Sequence, residues 1–128
     1  MGQDKNILVV DDDEFILYLV SNALKKEGFR VLCAATFAEA MLALESENIH
    51  LLVSDLLLPD SNGRSLGRFV HGHASLNHIP VILVTGADKS VIEEESKTAN
   101  AVLAKPFDLK QLIALGRSFL ESETGSAV

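Results

Sequence analysis

Five short apolar runs punctuate the chain: Ile7–Val10, Val31–Ala34, Leu51–Ser54, Val81–Val84 and Ala101–Ala104. Each is about four residues long, and none alternates apolar with polar positions. Uninterrupted runs of that length suit strands covered on both faces, as in a parallel sheet. Between them the apolar positions recur with helical spacing. Ile16, Leu19, Val20, Ala23 and Leu24 form one stripe, with Gly28 just beyond it as a C-terminal stop. Phe37, Ala40, Met41 and Leu44 form a second, and Leu66, Phe69 and Val70 a third. The last holds Leu109, Leu112, Ile113, Gly116 and Leu120, opened by Asp108 as N-cap. Residues 88–98 offer only Val91 and Ile92 ahead of Glu93-Glu94-Glu95. A helix is still predicted there, because a right-handed crossover must join two parallel strands.

The sum is a βα unit repeated five times, which predicts a doubly wound α/β sandwich. No internal repeat, low-complexity tract or linker interrupts it. The 128 residues suit a single domain, residues 1–128, with a core over about 5–120 and a polar tail, 121–128, expected to fray.

Charge and composition narrow the function. Eleven basic against eighteen acidic residues give a net charge of −7, which disfavours a nucleic-acid surface or an anionic membrane as direct partner. No apolar run approaches the roughly 20 residues that span a bilayer. The start, Met1 to Asn6, has no signal-peptide stretch, and Asn6 stands where a myristoylation motif wants Ser or Thr. The single cysteine, Cys33, excludes an internal disulfide framework and a Cys-based zinc site. A soluble cytoplasmic protein is therefore expected.

The chemistry sits directly after the strands. Asp11-Asp12-Asp13-Glu14 follows the first run, Asp55 the third, Thr85-Gly86 the fourth and Lys105-Pro106 the fifth. In a parallel sheet all strand C-termini share one rim, and open α/β folds bind ligands there, at the switch point in strand order. If the first and third strands are neighbours, Asp11, Asp12 and Asp55 converge, flanked by Thr85 and Lys105. Carboxylates so placed repel by roughly 4 kcal/mol per pair at 4 Å and an effective dielectric of 20. A fold keeps such a cluster when a cation, a raised pKa or a function offsets the cost. All-oxygen ligands point to a hard divalent ion, Mg²⁺ first and Mn²⁺ second. Such an ion keeps positions open for phosphate oxygens, while one carboxylate serves as nucleophile and Lys105 neutralises the incoming group. Thr85 can add a hydroxyl hydrogen bond, and the Gly86 amide another.

Ile7-Leu8-Val9-Val10-Asp11-Asp12 resembles the acidic pair of response-regulator receiver domains. Asp55-Leu56-Leu57-Leu58-Pro59-Asp60-Ser61-Asn62-Gly63 resembles their phosphoacceptor loop, with Pro four and Gly eight residues after the aspartate. Val84-Thr85-Gly86 and Lys105-Pro106-Phe107 match the two remaining signatures in order and spacing. The resemblance covers about residues 5 to 120. It implies a flavodoxin-like sheet of order 2-1-3-4-5 and a role in two-component or phosphorelay signalling. Asp55 would accept a phosphoryl group from a phosphohistidine of a sensor kinase or histidine phosphotransfer protein. Asp11, Asp12, Asp55 and the Leu57 backbone carbonyl would bind Mg²⁺. Lys105, Thr85 and the Gly86 backbone would contact the phosphoryl group, and the Lys105-Pro106 bond would be cis. Thr85 would move toward the phosphate and reshape the face of the fourth helix, last strand and last helix. Such a domain is a signalling switch rather than a turnover enzyme, and its downstream effector is left open.

Two departures from the pattern matter. Val102 stands three residues before the lysine, where the family usually has an aromatic side chain. Leu57 and Ala87, two residues after Asp55 and Thr85, cannot hydrogen-bond a hydrolytic water through their side chains, so slow loss of phosphate is expected. Other features have plainer accounts. Asp13 and Glu14 suit a helix start. His71, His73 and His78 fit solvated helix ends better than a metal site, since residues two apart on a helix do not face each other. Cys33 is expected to be a small core residue, and Arg64 and Arg68 an ordinary exposed face. Three competing functions differ from this one in class. An inert docking module would not need the three aspartates with Thr85 and Lys105. A small-substrate aspartyl-phosphate hydrolase would want an acid where Leu57 stands. A flavin carrier of this topology would want a hydroxyl- and amide-rich loop in place of Asp11-Asp12-Asp13.

Overall fold

A computed structural model describes residues 5–62, 64–86 and 88–125, with side chains through Glu121. The strands are β1 (Asn6–Val10), β2 (Arg30–Ala34), β3 (Leu51–Asp55), β4 (Val81–Thr85) and β5 (Ala101–Ala104). They form one parallel sheet in the order β2-β1-β3-β4-β5. The doubly wound α/β sandwich of order 2-1-3-4-5 is thus the fold. Its central strands have the continuous burial their composition predicts: Ile7 to Val10, Leu51 to Ser54 and all of β4 are buried.

The helices are α1 (Glu14–Lys26), α2 (Phe37–Ser46), α3 (Leu66–His71), α4 (Lys89–Glu95) and α5 (Leu109–Gly125). α1 and α5 cover one face of the sheet, where Val20, Leu24, Leu112 and Leu120 meet Ile7, Val9, Leu51, Val53, Ile82 and Val84. α2 and α3 cover the other, where Phe37, Ala40, Leu44, Leu66 and Val70 meet Leu8, Val10, Leu52 and Leu83. The side chains of each strand alternate between these two cores.

Local signals set the helix ends. Asp13 caps α1, accepting from the Phe15 and Ile16 amides. At the other end Gly28 takes φ +96°, Gly28 N–H donates to Lys25 O and Phe29 N–H to Leu24 O. That is the Schellman closure a left-handed glycine permits, with Phe29 and Leu24 in the same core. Asp108 opens α5 as predicted, its carboxylate accepting from Lys110 N–H at 2.9 Å.

Three expectations need correction. Cys33 is exposed, because β2 is an edge strand with no neighbour on its outer side. Leu19 is 36% exposed, on the shoulder of a stripe centred on Val20 and Leu24. The fourth helix is seven residues, Lys89–Glu95, rather than 88–98, since apolar positions are too few to extend it. Residues 121–125 of the polar tail belong to α5. The remainder of the predicted tail, 126–128, lies outside the described residues.

Candidate functional site

The register of β1, β3, β4 and β5 brings their C-terminal ends to one rim. Val10 pairs with Ser54, Asp55 with Val84, and Thr85 with Ala104. Asp11 follows β1 immediately, Asp55 and Thr85 end their strands, and Lys105 follows β5. Asp11 is buried, Asp55 half-buried, and Asp12 exposed. One carboxylate oxygen from each lies within 4.8 Å of the others. The convergence predicted from strand order is therefore real.

Lys105 reaches across this cluster. Its Nζ lies 3.4 Å from Asp11 Oδ2 and 3.3 Å from Asp55 Oδ2, so one ammonium serves two carboxylates. The backbone fixes its origin: Lys105 N–H donates to Thr85 O at 2.7 Å, and the Lys105–Pro106 bond is cis, as expected. Asp11 spends its other oxygen on the Asp13 N–H at 2.9 Å, which aims the carboxylate. Burial pushes the Asp55 carboxyl above the ordinary aspartate value, Lys105 opposes that shift, and Asp11 adds to it. For Lys105, burial acts to lower its pKa, but the charges of Asp55 and Asp11 outweigh it, and the amine is held above its usual value.

The remaining predicted residues take these places. Thr85 is buried at the end of β4, with exposed Gly86 next to it. Leu57 lies two residues after Asp55 with its side chain 57% exposed. Ala87 and Gly63 lie outside the described residues. Val102 is half-buried in β5, paired in register with Leu83. The histidines are not brought into any such group. His71, His73 and His78 are all exposed, and His73 sits beside Phe69, its Nδ1 2.9 Å from Phe69 O.

Three features went unmarked in the sequence. Asp60 accepts from Phe37 N–H at 2.8 Å and Ala38 N–H at 3.1 Å, tying the loop after Asp55 to the start of α2. Phe15 and Tyr18 stand 66% and 65% exposed on α1. Aromatic residues off the apolar stripe were the available signal for them. A groove of about 450 Å³, lined by Ile16, Leu19, Lys105, Pro106 and Phe107, opens beside the site lysine. Glu95 is buried against Ser65 and Arg68, so Arg68 is no idle surface residue.

The donor set fits a hard divalent cation. It offers three carboxylates and no sulfur or imidazole, with a single ammonium against their combined charge. Among the described residues, no helix is long and apolar enough to cross a membrane.

Residues 7–116 match the family model described as response regulator receiver domain. The chain is 34% identical over 120 residues to the transcriptional regulatory protein GltR of Pseudomonas aeruginosa, covering 91% of this chain and 49% of that one. It is 35% identical over 111 residues to the swarming motility regulation protein RssB of Serratia marcescens, covering 85% and 50%. The chain thus spans about half the length of these curated relatives. Among solved structures, a CheY-like receiver domain protein of Methanospirillum hungatei superposes with TM-score 0.84 at 28% identity, covering 96% of this chain and 98% of that one. The BeF3-activated DrrB receiver domain does so with TM-score 0.78 at 32% identity, covering 92% and 98%.

Proposed function

The chain belongs to the response regulator receiver domain family of two-component signalling, and from that premise we propose that Asp55 is its phosphoacceptor. The observation that carries this reading is the Lys105 ammonium held between Asp11 and Asp55 within the acidic trio. The donor is a phosphohistidine of a sensor histidine kinase or histidine phosphotransfer protein. An Asp55 oxygen attacks phosphorus, the P–N bond breaks, and the imidazole nitrogen keeps the electron pair and takes up a proton. Half-burial makes the Asp55 carboxylate a better nucleophile, and the Lys105 ammonium beside it opposes the rise in pKa that burial causes. As charge develops on the transferring group, Lys105 exchanges its carboxylate contacts for phosphoryl oxygens. Thr85 and the Gly86 amide stand on the adjoining strand end to complete the contacts.

Asp11, Asp12 and Asp55, with the Leu57 carbonyl, are the groups that would hold Mg²⁺ or Mn²⁺. The ion supplies charge neutralisation at the phosphoryl oxygens when bound. Phosphorylation then shifts the face formed by α4, β5 and α5, so the domain acts as a cytoplasmic switch rather than a turnover enzyme. Phe15 and Tyr18, both exposed on α1, favour a protein donor docking over that helix. A docking module that works without phosphorylation leaves the acid–lysine arrangement without a purpose.

The test is incubation with Mg²⁺ and a small phosphodonor, followed by intact mass. Wild type gains one phosphoryl group and Asp55→Asn gains none; a modified Asn variant overturns the assignment. With the apolar Leu57 beside it, the phosphoryl group is expected to leave slowly, and decay within about a minute at neutral pH contradicts that. Mg²⁺ raises the melting temperature of wild type by mass action, and Asp12→Asn blunts the rise.

A further inference from the structure

The single buried side chain of α4 is a carboxylate. Glu95, at the last position of that helix, is 8% exposed, while Val91 is exposed and Ile92 half-buried. Seven residues make a helix too short to persist by itself, so its place depends on what it touches. Glu95 Oε1 accepts a buried hydrogen bond from Ser65 Oγ at 3.0 Å, and Oε2 lies 3.1 Å from the Arg68 guanidinium. Both partners belong to the first turn of α3. Ser65 is its N-cap, and the same hydroxyl accepts from Arg68 N–H at 3.1 Å. Glu94 adds a longer contact to Arg68, 3.7 Å, and pairs with Lys97 at 3.2 Å.

An exposed ion pair contributes little, and the Glu94 contacts are of that kind. Glu95 differs because its side chain is 10% exposed and has given up most of its water. A carboxylate in that position depends on its donors. Hydrogen bonds are also short-ranged: a shift of about 1 Å abolishes them. An apolar residue in the same place could slide by that distance at small cost. The carboxylate instead gives α4 a defined seat, either clasped by α3 or released with Glu95 in water.

Both sides of the clasp are tied closely to the acidic rim. Ser65 stands ten residues after Asp55 at the end of the loop leading from it, and residues 86–88 are all that separate Thr85 from α4. We propose that the Ser65–Glu95–Arg68 clasp is a latch that fixes the resting position of α4 and sets how readily an occupied Asp55 displaces it. The proposal rests on the phosphoacceptor reading of Asp55. Linkage makes it reciprocal: loosening the latch raises affinity for a phosphoryl mimic at Asp55, and the mimic loosens the latch.

The test compares wild type with Glu95→Gln and Arg68→Gln, with exposed Glu93→Gln as the control. Glu95→Gln keeps the shape and removes the charge. Arg68 is half exposed, so its replacement leaves folding intact, and a thermal melt verifies both. Two quantities are read: amide hydrogen exchange over residues 89–99, and binding of beryllofluoride with Mg²⁺. Expected are exchange in 89–99 faster by roughly tenfold in both latch variants, and beryllofluoride affinity higher by roughly fivefold or more. The control matches wild type, and beryllofluoride speeds exchange of 89–99 in wild type. Variants that exchange like wild type overturn the latch. Faster exchange with unchanged beryllofluoride affinity overturns its link to Asp55 and leaves a structural staple. A wild type that binds no beryllofluoride overturns the phosphoacceptor reading itself, which the Asp55→Asn comparison identifies separately.

Discussion

α2 and α4 each cross between parallel strands beside α3, and each starts from a side-chain cap. Thr36 accepts from Glu39 N–H at the start of α2, and Asp88 from Val91 N–H at the start of α4. Beyond the caps they diverge. α2 is ten residues long and buries Phe37, Ala40 and Leu44 in the core under the sheet. It gains further contacts from Asp60, and Glu39 accepts from Ala35 N–H in a variant of the capping box. α4 is seven residues long and buries only Glu95. Apolar burial is non-directional and tolerates no withdrawal into water, so α2 is a fixed wall. A carboxylate can leave its donors for water, so α4 is the part of this layer suited to move.

The largest expected effect tests the fixed side. Phe37 is 2% exposed, and Phe37→Ala removes its ring from a closed core. It should cost about 3–5 kcal/mol, a large part of the stability of a domain this size, read from denaturant unfolding. Ile92→Ala in α4 should cost about 1 kcal/mol or less, since that side chain is half-buried and alanine favours helix. A loss at Ile92 equal to that at Phe37 would break the contrast.

The same contrast explains what the sequence disclosed. Continuous apolar runs such as Val81–Val84 announced buried strands, and their order fixed which ends share a rim. Asp11, Asp55, Thr85 and Lys105 were legible because each ends or follows such a run, so topology alone brings them together. The bounds of α4 were not legible, because the signal for a helix there was connectivity and not periodicity. Glu95 was hidden inside Glu93-Glu94-Glu95, where composition reads as solvated surface. Its burial follows from Ser65 and Arg68, about 30 positions away in the chain, and local pattern does not reveal a partner so distant. Cys33 misled for the opposite reason: the order 2-1-3-4-5 already put its strand at the sheet edge, but its apolar neighbours still read as core.

The smallest expected effects concern acid, where the two helices share a cause but differ in response. Backbone N–H groups of Phe37 and Ala38 hold the Asp60 carboxyl below its ordinary range. The Ser90 hydroxyl, then the Val91 N–H, do the same for Asp88. In both cases the folded pKa lies below the unfolded value of roughly 4. The stabilisation is therefore fully present above that value and is lost as pH falls through the folded one. At α2 the lost cap leaves Phe37, Ala40 and Leu44 in place, so acidification should lower the melting temperature while α2 amides stay protected. Asp60→Asn should flatten that pH dependence. At α4 no apolar anchor remains behind the cap, so amides 91–95 should lose exchange protection at a pH where α2 is still closed. Asp88→Ala, which removes the acceptor, should bring the same loss at neutral pH. Simultaneous loss of protection in both helices would mean that α4 opens only with the whole fold, and the layer would then have no separately movable part.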